Sequence, residues 1–242
     1  MLKTGRILTQ IADLAMPRRC AVCGARLLPD ERSVCVCCLG DLPETHFENC
    51  SRNPMADRLN SKLEEGPYLY ATALYHYRGG YASISQSLKY HRNFATGKLF
   101  GRMLGDRLSG STVFGKGSAV PVDLVIPVPL HWTRKWSRGY NQAGIIAAEV
   151  ADRLGCPVDT GILRRCRRTS SQLHAAEREK NVRGAFAART FKTGNHPCPE
   201  HILLVDDVFT SGSTAASCIE ALRGTFGPEL RISVATLGYA GD

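Results

Sequence analysis

The run Ile202-Leu203-Leu204-Val205-Asp206-Asp207-Val208-Phe209-Thr210-Ser211-Gly212-Ser213-Thr214 constrains this chain more than any other stretch. Four consecutive apolar residues, two acids and a small hydroxyl-rich loop opening a helix describe a strand buried on both faces that ends at a helix N-terminus. In open α/β sheets, ligands sit just beyond the C-terminal ends of such strands. The loop Thr210 to Thr214 gathers backbone N–H groups and hydroxyls around one anion, with the positive end of the helix dipole behind them. It lacks the Gly-Lys-Ser/Thr of a nucleotide-hydrolysing P-loop and the glycine spacing of a dinucleotide fingerprint. Asp206 and Asp207 stand where carboxylates accept hydrogen bonds from ribose hydroxyls or support Mg²⁺. A phosphate on one side and a diol on the other describe a ribose 5-phosphate. The bland alternative is a capped helix with the aspartates as turn formers.

The rest of the chain fits an α/β protein. Tyr68 to Tyr77, Asp123 to Val128, His201 to Val205 and Arg231 to Leu237 read as strands. Ile84 to Leu108, Asn141 to Leu154 and Ala215 to Leu222 carry helical periodicity. Strands alternating with helices imply a mostly parallel twisted sheet with flanking helices. With 242 residues, 43% hydrophobic and 22% charged, the composition suits a folded protein. No apolar run approaches the roughly 18 residues of a membrane helix, so no membrane insertion is expected.

Charge narrows the partners. Thirty-one Lys and Arg against 22 Asp and Glu give +9. No acid follows Asp123 up to Ala148, and the stretch Arg164 to Arg189 holds eight basic residues against Glu177 and Glu179. Such a bias favours phosphate-bearing partners, whether a small molecule or nucleic acid.

Six of the ten cysteines fall between residues 20 and 50. Cys20-Ala21-Val22-Cys23 and Cys35-Val36-Cys37-Cys38 form two Cys-x-x-Cys pairs, the arrangement of a four-thiolate zinc ribbon. Cys20, Cys23, Cys35 and Cys38 are the expected Zn²⁺ ligands, with Cys37 as the alternative to Cys38 and disulfides as the competing explanation. A closed four-cysteine site is structural, since catalytic zinc keeps a position open. Met1 to Met16 reads as a short amphipathic helix, too broken for a signal-peptide core, so a reducing, cytoplasmic setting is expected. The division follows as an N-terminal helix and zinc module over 1–50, a linker or cover segment over 51–66 and the α/β domain over 67–242.

The segment 202–214 resembles the signature of type I phosphoribosyltransferases, which bind 5-phosphoribosyl 1-pyrophosphate (PRPP). Ile126-Pro127-Val128-Pro129-Leu130, Arg138-Gly139-Tyr140-Asn141-Gln142-Ala143, Arg168-Thr169-Ser170-Ser171-Gln172 and Asn181-Val182-Arg183-Gly184-Ala185-Phe186, with the two cysteine pairs upstream, resemble the ComF family. That family is linked in many bacteria to natural competence and DNA uptake and is similar to amidophosphoribosyltransferases.

The resemblance implies a type I phosphoribosyltransferase fold behind a small zinc-ribbon-like module. It places Pro127, Val128, Pro129 and Leu130 at the loop that receives pyrophosphate, and the stretch from about Arg165 to Asn181 as a mobile hood. Arg134, Lys135, Arg138, Arg165, Arg168 and Arg178 are the cations available to the leaving pyrophosphate. Lys89-Tyr90-His91-Arg92 resembles a family stretch too, with a cation-capped helix end as an equal reading.

The expected reaction is transfer of a phosphoribosyl group to an acceptor, with Asp206 and Asp207 orienting the ribose and Mg²⁺ bridging pyrophosphate and ribose hydroxyls. The acceptor and a general base are not legible in the sequence. Two other classes compete: a non-catalytic PRPP or nucleotide sensor, and a zinc-bearing adaptor contacting single-stranded DNA or a competence helicase. A homodimer is in keeping with domains of this class.

Overall fold

A computed structural model of the chain describes residues 17–63, 66–90, 94–130, 139–167, 184–190 and 198–241, with 89 and 90 as backbone. Its element bounds follow from which segments are apolar on both faces. The strand run at 202–205 extends to β5, His201–Phe209, whose Ile202, Leu203, Leu204 and Val205 are fully buried. Its neighbours are β6, Arg231–Tyr239, and β2, Leu124–Pro127, with β1, Ala71–His76, at the far edge. The order is β1-β6-β5-β2 and every pairing is parallel.

Parallel strands need crossovers, and the chain supplies helices on both faces. On one face lie α3 (Gly80–Tyr90), α4 (Phe94–Ser109) and α5 (Gln142–Leu154). Ile84, Phe100, Leu104, Ile146 and Val150 pack there against Leu203, Val205 and Leu237. Helices α4 and α5 approach closely because α4 carries glycine at the contact. A Cβ at Gly105 would sit 2.8 Å from Arg153 Cβ, and one at Gly101 3.1 Å from Glu149 Cβ.

The opposite face holds α6, Ser213–Phe226, and the two-stranded antiparallel ribbon of β3 (Leu163–Arg165) and β4 (Phe186–Ala188). Each ribbon strand is three residues long, too short to show a period in sequence. The α/β architecture with a parallel sheet and flanking helices is as expected.

Residues 51–63 of the expected linker or cover segment pack against the sheet. Asn53 caps α2, Pro54–Asn60, by accepting from Ala56 N at 2.9 Å, and its Nδ2 donates to Ala71 O of β1 at 2.9 Å. Pro54 occupies the first helical turn, where its missing N–H costs nothing. Met55, Ala56 and Leu59 are fully buried in the core under β1 and α6. This apolar triplet fixes α2 in place, a signal outweighed in sequence by the surrounding Pro, Gly and mixed charge.

The cysteine-bearing segment, with the short helix α1 (Val36–Gly40), docks on the other face. Leu27, Val34 and Leu42 share one buried cluster with Leu74, Tyr75 and Tyr81. A Cβ at Gly80 would meet Val22 Cγ1 at 2.8 Å, so α3 starts directly against the first cysteine turn. Residues 43–45 protect the exposed edge of β1: His76 N donates to Pro43 O at 2.7 Å and Thr45 N to Leu74 O at 3.2 Å. No helix among the described residues is long and apolar enough to cross a membrane.

Candidate functional site

The C-terminal ends of β2, β5 and β6 open onto a cleft. Val128, Asp206, Phe209, Thr210, Gly212 and Thr214 are among its lining residues, with Thr236 and Ala215. β5 delivers the acid, because its register sets Asp206 opposite Thr236 of β6. The Asp206 carboxylate is half-buried, and its Oδ1 accepts from Asp207 N at 2.8 Å.

Successive strand residues point to opposite faces. Asp206 accordingly lines the cleft, while Asp207 is not among the lining residues and its backbone carbonyl accepts from the buried Tyr81 hydroxyl at 3.3 Å. Burial pushes the Tyr81 phenol well above its ordinary value, and the Asp207 charge adds to this. Tyr81 is thus a neutral donor that fixes the strand end.

The loop after β5 turns on Gly212, the N-cap of α6, at φ +82°. A side chain there would be strained, and a Cβ would lie 2.8 Å from Phe209 Cζ. This glycine lets the chain fold tightly over the Phe209 ring and start the helix at once. Ala216 N donates to Gly212 O at 2.9 Å as the first helical bond. The N–H groups of Thr214 and Ala215 precede that bond and so have no acceptor within the helix. Ser211 and Ser213 hydroxyls lie 3.0 Å apart, and Ser213 N approaches Ser211 Oγ at 3.4 Å, so the hydroxyls are held near those amides. Thr210 and Ser211 are exposed, whereas Gly212 and Ser213 are buried.

Across the cleft, Pro127 ends β2, and Val128 N continues the pairing by donating to Val205 O at 2.8 Å. Val128 O accepts from Asn141 Nδ2 at 3.0 Å, which ties the start of α5 to the cleft wall. Pro129 and Leu130 follow, half-buried. Arg165 lies on β3 with its guanidinium 5.2 Å over the Phe186 ring and is not among the cleft-lining residues. Arg134, Lys135, Arg138, Arg168 and Arg178, most of the expected hood and the helix over Met1 to Met16 lie outside the described residues. The buried Cys218 thiol of α6 is pushed up by desolvation and then by the Asp206 charge, which leaves it inert.

The cysteine cluster is built independently. The sulfurs of Cys20, Cys23, Cys35 and Cys38 all lie within 4.8 Å of one another, and Cys23 Sγ to Cys35 Sγ is 3.8 Å. A tetrahedron with Zn–S bonds of about 2.3 Å has edges of about 3.8 Å, so the donor set fits a zinc ion. Val22 N and Cys35 N each approach Cys20 Sγ at 3.4 Å, and Cys38 N approaches Cys35 Sγ at 3.5 Å. Burial opposes ionisation of Cys20, but the N–H groups of Cys23, Cys35 and Val22 outweigh it and lower the thiol to about 6. Cys37 is exposed and outside the group, and Cys50 Sγ lies against His46 O at 3.6 Å. Among the described residues this is the one group of three or more such side chains arranged to hold a metal. Among the described residues that line the cleft, Asp206 is the one carboxylate, and they form no Mg²⁺ cage by themselves.

Two contributors were not legible in sequence, Tyr81 and Arg58 of α2, whose Nη1 lies 3.5 Å from Thr210 O; Asn141 stood in the motif 138–143 without an assigned role. The helix-start pair Asn53-Pro54 was the available signal for Arg58.

No protein-family profile matches the chain. It is 37% identical over 103 residues to Competence protein F of Haemophilus influenzae, covering 42% of this chain and 44% of that protein. DNA utilization protein YhgH of Salmonella typhi is 28% identical over 210 residues, 84% of this chain and 83% of that one. The chain therefore spans less than half the length of Competence protein F. Among solved structures, adenine phosphoribosyl transferase from Trypanosoma brucei aligns at 10% identity and TM-score 0.37, over 84% of this chain and 89% of that one. An allosteric regulatory enzyme of purine biosynthesis aligns at 24% identity and TM-score 0.33, over 58% and 25%.

Proposed function

For this homologue of the proteins named Competence protein F and DNA utilization protein YhgH, we propose a phosphoribosyltransferase-like role: binding PRPP with Mg²⁺ in the cleft and transferring its phosphoribosyl group to an acceptor with release of pyrophosphate. The observation that carries this reading is one cleft at the ends of parallel strands that joins the Asp206 carboxylate to the loop Thr210–Thr214.

In this reading the loop amides and the hydroxyls of Ser211 and Thr214 hold the 5-phosphate at the N-terminus of α6. Asp206 accepts from a ribose hydroxyl, and Asp207 supports the strand end from the other face. The Val128–Leu130 segment borders the pyrophosphate. Mg²⁺ bound together with the ligand would supply charge neutralisation for the leaving group. The chain's work is positioning, since cationic character grows at the ribose C1 as the leaving group departs. Zn²⁺ in the four-thiolate site has a structural role. The product or signal serves DNA use in the cell, a reading supported by the names of the relatives.

Asp206 is the one titratable side chain among the cleft-lining residues described. That favours a second reading, a PRPP or nucleotide sensor that binds without turnover. Calorimetric titration with PRPP and Mg²⁺, at salt high enough to screen loose anion binding, separates these. The expected result is saturable binding that is lost when Asp206→Asn and Asp207→Asn are combined, with pyrophosphate release on addition of acceptor candidates. Binding without any pyrophosphate release would favour the sensor. A folded protein that binds DNA with steep salt dependence, ignores PRPP and is indifferent to both aspartates would make it an adaptor.

A further inference from the structure

We infer that Arg58, on the short helix α2 that precedes β1 in the chain, is the cation of the 5-phosphate subsite. The inference rests on the cleft reading above and adds to it a residue from a different part of the chain. Arg58 Nη1 lies 3.5 Å from Thr210 O, the first residue of the loop, across 152 positions of sequence. Its guanidinium carbon is 5.8 Å from the centroid of the Tyr239 ring. Tyr239 in turn lies 6.1 Å from the Phe209 ring, the ring over which Gly212 turns. The guanidinium thus stands at the side of the loop on an aromatic floor.

Two features suit it to an anion. The first is rigidity: Met55, Ala56 and Leu59 anchor α2 in the core at 0% exposure, and Asn53 ties its start to β1. An arginine on such a helix is already placed, and little side-chain freedom is lost on binding. The second is need. The loop Thr210–Thr214 contains no lysine or arginine, so its amides and hydroxyls face a phosphate dianion without a formal positive charge of their own. A guanidinium presents five N–H donors in a planar fork matched to phosphate. One long contact to a carbonyl leaves most of that fork for a ligand. The neighbouring Asp57 is engaged by the Tyr68 hydroxyl at 2.9 Å, on its own side of the helix.

The ligand class this recognises is a phosphate monoester on a sugar, as distinct from the pyrophosphate bound beside Val128. The test titrates the full chain and its Arg58→Gln and Arg58→Lys variants with ribose 5-phosphate, with pyrophosphate and with PRPP plus Mg²⁺. Gln keeps much of the stem over Tyr239 while removing the charge, and urea unfolding of each variant checks the fold. Arg58→Gln is expected to weaken ribose 5-phosphate and PRPP by about 10- to 100-fold, the size of a charge-assisted hydrogen bond, and to leave pyrophosphate within about 3-fold. Arg58→Lys is expected to fall between, since it keeps the charge and loses the fork. Wild-type binding of ribose 5-phosphate that persists unchanged in folded Arg58→Gln would overturn the role of Arg58 and leave the cleft reading intact. Equal weakening toward all three ligands would overturn it as well, as a diffuse charge effect. Failure of the wild type to bind any of them would remove the cleft reading and this inference together.

Discussion

The cysteine cluster and the cleft are both constellations of functional side chains, but they are assembled in opposite ways. All four cluster sulfurs come from residues 20–38, and their mutual distances are set by two tight turns and the backbone N–H groups that face them. The cleft draws Val128, Asp206, Thr210, Gly212, Thr214 and Thr236 from three strands and a helix start, and Arg58 of a fourth element reaches Thr210 O beside it. A local site can be lost without disturbing the sheet. A site built at strand ends exists only while the sheet does.

The sharpest way to break this contrast is to remove the local site. Purified protein is expected to carry close to one zinc per chain, and Cys20→Ser with Cys35→Ser close to none by elemental analysis. Structural zinc contributes about 10–16 kcal/mol of apparent binding energy in zinc-finger peptides, so the variant should lose several kcal/mol or the order of its N-terminal module. PRPP affinity should stay within about 3-fold if the regions are separable. Because Val22 packs on Gly80 and Leu42 on the α3 face, a large loss of affinity would show instead that the module props the sheet.

Gly212→Ala attacks the non-local site at its tightest point. The residue must adopt φ +82° and its Cβ must displace the Phe209 ring from 2.8 Å. A cost of ~2–3 kcal/mol in urea unfolding is expected, with ligand affinity falling further than stability does, because the loop amides move. A variant of native stability and affinity would mean that the loop is not held as described.

The two aspartates give a smaller and more selective effect. Asp206→Asn should weaken PRPP by ~1.5–3 kcal/mol, the range for a hydrogen bond to a charged group, whereas Asp207→Asn should cost under ~1 kcal/mol because it lies off the cleft. Equal effects from the two would place Asp207 in the ligand site as well.

Acidification probes the opposite end of β5, away from the cleft. His201 is buried, with Nδ1 2.8 Å from Val120 O and Nε2 2.8 Å from Ser233 Oγ, an arrangement satisfied by the neutral ring. Burial lowers its pKa from 6.5, against the carbonyl of Val120, which raises it. Above pH 6.5 the ring is neutral folded and unfolded, so it adds no pH dependence. Below that value the unfolded chain takes up a proton that the fold refuses, and stability falls. Urea midpoints at pH 7.5 and 5.5 should differ by on the order of 1 kcal/mol from this group, and the slope should flatten in His201→Asn.

What the sequence made legible follows the same divide. The Cys-x-x-Cys pairs pointed to the four sulfurs that the fold gathers, with Cys38 preferred to Cys37, because turn geometry acts within a few residues. Strand, acid, loop and helix at 201–226 could be ordered for a similar reason: a doubly buried strand has one place to put a polar loop. The divergence of Asp206 and Asp207 follows from strand alternation and was available in principle. Treating them as a pair missed it. The roles of Arg58 and Asn141 were not accessible, since their partners lie 152 and 13 residues away and depend on how α2 and α5 pack. The β3–β4 ribbon was hidden by its length.

The most direct measurement follows backbone amide resonances of the labelled full chain during titration with ribose 5-phosphate. If the loop after β5 is the phosphate site, the largest shifts fall on the amides of Gly212 to Ala215, with smaller ones at Asp206 and Thr236 and none at Cys20 to Cys38. Shifts spread over the basic surface, or confined to the cysteine module, with the 212–215 amides unmoved, would contradict a phosphate site at the strand end.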